Sequence, residues 1–185
     1  MSKQTWMEVL VNSQSDGSAL TAAAAASCIP PAAKFTLPAN FFDYVGKQLM
    51  IKASGRISSV ITTPGTARFD VRFGATVVFD GLAALLDSVA AHTNVGWHLE
   101  ILLTCRAIGA SASLMGQGKW ECEDILGVPA TAPKGVLTAI LPWNSAPAVG
   151  NTFDSTASQA VDLYFTQTAA TGSLTVHQYS LISMN

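Results

Sequence analysis

The sequence predicts an all-β fold, an antiparallel β-sandwich of jelly-roll or Greek-key type. Three observations carry this: apolar residues recur with a period of two along most of the chain, helical periodicity is nearly absent, and turn formers divide the pattern into roughly eight strands. A closed barrel is the second architecture this pattern allows. With 185 residues, 49% of them hydrophobic, the chain has material for one core and little room for a second. The expected organisation is a single compact domain, with an N-terminal strand and extended arm over residues 1–45 and the sandwich over residues 46–185.

The first strand is expected at 6–11, followed by a turn at Ser15-Asp16-Gly17 and an alanine tract at 22–26. Pro30, Pro31 and Pro38 then mark an extended connection of a length that is uncommon inside compact domains. This segment is either an arm laid on its own domain or a neighbour, or an ordinary first strand and loop. An arm implies that a chain lacking residues 1–30 still folds.

From 48 to 61, Leu49, Ile51, Ala53 and Ile57 alternate with Met50, Lys52, Ser54 and Arg56, as in a strand with one buried face. Thr63-Pro64-Gly65-Thr66 turns the chain into residues 68–73, where Arg68, Asp70 and Arg72 share one face and Phe69, Val71 and Phe73 the other. Gly74 opens a tight connection to 76–80, so 67–80 reads as a hairpin. Residues 82–91 form either a short helix or a strand edge with loop.

The run 94–108 sets Trp97, Leu99, Ile101, Leu103, Cys105 and Ala107 on one side, and His98, Glu100, Leu102, Thr104 and Arg106 on the other. A turn centred on Ala110 returns it through 112–122, with Cys105 opposite Met115 and Cys122 opposite His98. Proline and glycine dominate 127–150, which is expected to loop across one end of the sheets with a short strand at 136–141. Strands at 160–166 and 173–182, joined by Ala170-Thr171-Gly172, are expected to close the chain as a hairpin.

Only 12% of residues are charged and the net charge is −2, against roughly 25% charged in an ordinary domain. A surface this neutral fits contact with neighbouring copies, or a polar Ser/Thr/Gln surface. It offers no cationic track for nucleic acid. The opening residues lack the apolar stretch of a signal peptide, and no apolar run reaches the roughly 18 residues of a membrane span. Cys28, Cys105 and Cys122 form no CxxC and have no histidine at ligand spacing, so buried reduced thiols are expected, with no metal or cofactor.

Catalysis has little to work with. His92, His98 and His177 are the imidazole bases, and none sits in a recognisable motif. Gly116-Gln117-Gly118 falls inside a strand, where backbone crowding or a bulge explains it better than phosphate binding. His98, Glu100 and Arg106 share a strand face that is either a polar binding face or solvated surface. Glu121, Glu123 and Asp124 could hold Ca²⁺ by oxygen ligands but match no known loop spacing; solvated surface is the expected reading of both. Trp6, Phe41, Phe42, Tyr44 and Trp143 are the candidates for core or interface plugs, with stacking on sugars in a lectin-like site the alternative for Phe41, Phe42, Tyr44 and Trp143. The loop 142–156, with Trp143, Asn144, Asn151 and Asp154, is the candidate for receptor contact.

Several segments, in order, carry a resemblance: VLVNSQ at 9–14, KFTLPANFF at 34–42, ASGRIS at 53–58, PGT at 64–66 leading to DVRFG at 70–74, and 100–109 with LMGQG at 114–118. APAVG at 146–150, FDSTA at 153–157 and HQY at 177–179 complete it. Together they resemble a group of tailed-bacteriophage virion proteins described as minor structural proteins. The alanine tract at 22–26 departs from the more polar Thr/Ser/Asn tract expected of that group. The resemblance covers almost the whole chain and brings no catalytic residue with it. It implies a structural, non-enzymatic protein of the phage particle, made in the bacterial cytoplasm. The expected role is a capsid decoration or cement protein on the outer head, bound to the major capsid protein or other virion proteins and to itself, with a trimer favoured. The alternative is a tail, baseplate or head-fibre component with a host-surface or glycan-binding role.

Overall fold

The computed structural model describes residues 6–127 and 135–184. The strands are β1 (Met7–Asn12), β2 (Ala25–Ser27), β3 (Phe35–Leu37), β4 (Gln48–Ser59), β5 (Thr66–Phe73), β6 (Thr76–Asp80), β7 (Ala84–Leu85), β8 (His92–Ala107), β9 (Ser113–Gly127), β10 (Gly135–Leu141), β11 (Gln159–Gln167) and β12 (Ser173–Met184). The longer strands stand where the alternation puts them, except that β9 continues past the expected end at 122 to Gly127. Of the loop expected over 127–150, residues 128–134 lie outside the described residues. β2, β3 and β7 are additional, and at two or three residues each they are too short to alternate. Residues 82–91 contain β7 and bends, so the helical option there is not taken.

Two antiparallel sheets result. One has the order β1-β12-β4-β8-β9-β10, and the other β2-β11-β5-β6, with β3 also on β11 and β7 also on β5. The architecture is a sandwich of open sheets. Its core is made from the inward rows: Leu49, Ile51, Leu99, Ile101 and Leu103 from the first sheet and Phe69, Val71, Leu163 and Phe165 from the second, all at most 1% exposed. Phe69 sits at the centre, with its ring 5.1 Å from Trp120 and 5.2 Å from both Trp97 and Phe165. Phe42, Phe73 and Phe153 form a second aromatic group.

The 67–80 hairpin is present as β5 and β6, with Gly74 at φ +56° in its turn. The expected C-terminal hairpin is not. β11 pairs with β2, β3 and β5, whereas β12 pairs with β1 and β4 in the other sheet. Alternation specifies which side of a strand is buried but not its neighbour, and two inward rows are equally satisfied facing each other across the core. The β8–β9 hairpin forms with a bulge between Cys105 and Ala107, setting Cys105 opposite Leu114 and Cys122 opposite Trp97. Each partner is one residue from the one expected. All three cysteines are buried free thiols, and burial pushes the Cys122 thiol up to about 11.

Residues 6–37 contribute to both sheets. A bulge between Val9 and Val11 in β1 lets Leu10 and Val11 both pack on the core. The N–H groups of Ser13 and Gly17 then donate to the carbonyls of Tyr179 and Val176, and Leu20 bridges Leu174. Cys28 and Ile29, at 1% and 4% exposed, are core residues.

Candidate functional site

The outer face of the second sheet concentrates charge in a chain that has little. The period-two pattern sends Arg68, Asp70 and Arg72 outward from β5. Asp70 is nonetheless completely buried, because Arg72 Nε lies 2.5 Å and Arg68 Nη2 3.5 Å from its oxygens. Arg68 Nε is also 2.9 Å from Asp80 on the neighbouring β6. The Arg72 guanidinium lies 3.8 Å from the Tyr164 ring centroid, and Asp162 binds Lys34 at 2.8 Å and Ser27 at 2.7 Å. The hydrogen bond to Asp70 raises the Arg72 pKa further above its already high value. A carboxylate removed from water persists because guanidinium groups meet it. The arrangement fixes Arg68 between two carboxylates.

Residues 142–151 close over the end of this network. The Trp143 N–H donates to Gly81 O at 2.8 Å, and the Gly150 N–H to Leu114 O at 2.9 Å. Asn151 Nδ2 donates to Val77 O at 3.0 Å. A Cβ at Gly150 would stand 1.9 Å from Val78 O, so only glycine permits this approach of loop to strand. Two adjoining hollows follow. One, of about 330 Å³, is lined by Arg68, Val77, Asp80, Val149, Gly150 and Asn151. The other, of about 190 Å³, shares Asp80, Val149 and Gly150 and is walled by apolar groups that include Phe79, Leu82 and Pro142. Phe79 itself occupies the space left by Gly116, whose added Cβ would stand 2.2 Å from the ring. Crowding thus accounts for a glycine in mid-strand.

A guanidinium, a carboxylate and a carboxamide beside an apolar wall can hydrogen-bond hydroxyls while covering a nonpolar face. None of the histidines or cysteines lines either hollow. Among the residues singled out from sequence, Asn151 is in this site and Trp143 is hydrogen-bonded beside it. Asn144 and Asp154 do not line it. Asp154 instead accepts hydrogen bonds from the Thr156 hydroxyl and N–H, which hold its carboxyl below the usual range. Phe42, 3% exposed, belongs to this chain's own core and is unavailable to a partner. Phe41 and Tyr44 are half-buried around Lys47, whose ammonium lies 4.3 Å and 6.0 Å from their ring centroids. Trp6 is 53% exposed beside β1. The five aromatic candidates are therefore spread over the core, a Lys47 cluster, the groove margin and a sheet edge.

The histidines are dispersed as well. His177 lies 2.9 Å from Asp16 and His92 3.3 Å from Asp87, while His98 stands opposite Glu121 on the outer face of the first sheet. Glu100 and Glu121 are engaged by Lys52 and Lys119 at 3.1 Å and 3.0 Å. Asp87 is 2% exposed. Burial works against its charge, but the N–H groups of Val89 and Ala90 and the His92 ring more than offset this and hold the carboxyl below its usual range. A carboxyl lowered on folding contributes stability above its unfolded pKa of about 4, and the contribution disappears as pH falls through the folded value. Asp87→Asn is therefore expected to cost about 1–3 kcal/mol near neutrality. Urea midpoints at pH 6 and pH 3 check this: the gap between wild type and variant should narrow in acid, and a gap that stays constant would show that the charge is not what stabilises.

No protein-family model matches the chain, and no curated protein does. Among solved structures, it is similar to the CBM2 module of the evolved Dit of Lactobacillus casei BL23 phage J-1. The TM-score is 0.33 with 8% identity, over 82% of this chain and 68% of that one. A likeness at that level decides nothing about what this chain binds.

Proposed function

We propose that the chain is a non-enzymatic structural subunit of a bacteriophage particle, placed in the tail, baseplate or a head fibre, and that its groove binds glycan at the host surface. The observation that supports glycan binding is the groove itself, in which Arg68, Asp80 and Asn151 adjoin an apolar wall. Arg68 is held in place before any ligand arrives, which reduces the ordering cost of binding. The assignment to a phage particle rests on the sequence resemblance. Its test is titration of the purified chain with bacterial cell-wall polysaccharide in a calorimeter. Asn151→Ala removes the amide, and with it the bond to Val77 O, while leaving the Arg68 ion pairs intact, and should weaken binding about tenfold, or about 1.4 kcal/mol. Equal binding by wild type and variant, or none by either, would count against the groove.

A second reading, capsid decoration, is supported by a different surface. Met7, Met50, Met115 and Met184 all lie on the outer face of the first sheet, since each alternates with or pairs beside inward-facing neighbours. Methionine adapts to irregular protein partners. Sedimentation with phage heads lacking this protein distinguishes the two: co-sedimentation at fixed stoichiometry favours the head, and its absence favours the tail or fibre.

A further inference from the structure

The six-stranded sheet ends in two strands that are paired, among the described residues, on one side only: β1 and β10. Among the described residues, each has a row of backbone donors and acceptors that no other strand meets. Apolar side chains cluster on the same two edges. Trp6, Met7 and Val9 are 53%, 62% and 52% exposed, and Leu137 and Ile140 are 64% and 56% exposed. Edge strands of soluble proteins are ordinarily guarded by lysine, proline or a bulge. β1 and β10 contain neither lysine nor proline. Their bulges, between Val9 and Val11 and between Val136 and Thr138, leave regular segments at 7–9 and 138–141.

The geometry points to a second copy of this chain as the occupant of these edges, joined head to tail with β1 of one copy against β10 of the next. Every neighbouring pair in the six-stranded sheet is antiparallel, so its first and last strands run in opposite directions. A copy set alongside in the same orientation thus brings β10 antiparallel to β1, the arrangement a continued sheet needs.

The faces match too. Val9 stands opposite Ile182, which stands opposite Met50, on the outer face. Ile140 stands opposite Lys119, which stands opposite Glu100, on that same face. Setting residue 7 against 140 and 9 against 138 places Met7 on Ile140 and Val9 on Thr138, all outward, and covers the exposed Met7, Val9 and Ile140. Charge is compatible. β1 carries the single carboxylate Glu8 and β10 carries no charge, while in the row beside β10 Lys119 and Glu121, opposite Ile140 and Thr138, pair with each other. The chain's net charge of −2 sets up little repulsion between copies.

Light scattering on the full-length chain tests this with Val9→Lys and Ile140→Lys, each at a position more than half exposed, where lysine is tolerated in the monomer. The wild type is expected to be heavier than one chain. Each variant alone should have the mass of one chain, with an unchanged β-type circular dichroism spectrum. An equimolar mixture of the two should yield a species of two chains, because the intact β1 of one variant meets the intact β10 of the other. A monomeric wild type at tens of micromolar would overturn the proposal. So would an assembly that survives Ile140→Lys, or a mixture that stays monomeric, since either means that β1 does not dock on β10. Met7→Lys replaces Val9→Lys if the latter fails to fold.

Discussion

Deleting residues 1–30 is expected to abolish the cooperative unfolding transition of the whole protein. The segment contains β1, which covers one side of β12, and β2, which lies on β11, together with the hydrogen bonds of Ser13, Gly17 and Leu20 to the Tyr179–Leu174 stretch. It also removes Cys28 and Ile29 from the core, and Leu10, Val11 and Leu20 from its margin. Burying one large aliphatic side chain contributes roughly 1.5–3 kcal/mol. The summed loss is comparable with the entire stability of an ordinary domain, roughly 5–15 kcal/mol. Thermal melts followed by circular dichroism decide the matter, and a truncated chain that still melts sharply would show that residues 1–30 are an appendage after all.

The second large effect is expected at Trp120, which is fully buried and packs edge-on against Phe69. Trp120→Ala should cost about 3–5 kcal/mol, the range for emptying a large aromatic site in a core that can only partly collapse. Trp120→Phe should cost far less. It keeps an aromatic ring against Phe69 and discards an indole N–H that meets no protein acceptor among the described residues. Denaturant midpoints of the two variants provide the check, and equal losses would mean that the indole nitrogen, rather than the packing, is what the site requires.

Most of the strands were legible because a half-buried strand writes its pleat into the sequence. In β8 the predicted inward row is buried from Trp97 to Cys105 and the residues between are not, while Ala107, beyond the bulge, is only half-buried. What alternation cannot carry is the identity of the neighbouring strand. β11 and β12 alternate as clearly as any others, yet they belong to opposite sheets. The Cys105 bulge displaced a register by one residue for a related reason, since the extra residue is invisible until the pairing is known. The three shortest strands left no periodic trace.

The groove was half legible. Three charges on one face of 68–72, in a chain with 22 charged residues in all, mark one side of the groove. Asn151 stood out in its loop. The meeting of Arg68, Asp80 and Asn151 depends on a contact between residues about 70 positions apart, and on the glycine at 150 that permits it. Nothing local announces either.

The place of β12 between β1 and β4 has a consequence for how the molecule is made. Its pairing of Met7 with Met184 spans nearly the entire chain, so the first sheet cannot close until its last strand has left the ribosome. The second sheet waits in the same way for β11. Until then β1, β4 and β5 have partners missing and present sticky edges to one another and to other nascent chains. Topologies of this kind fold in milliseconds to seconds rather than microseconds. Synthesis at high copy number therefore puts the strongest demand on chaperones during the interval just before the C-terminal strands emerge.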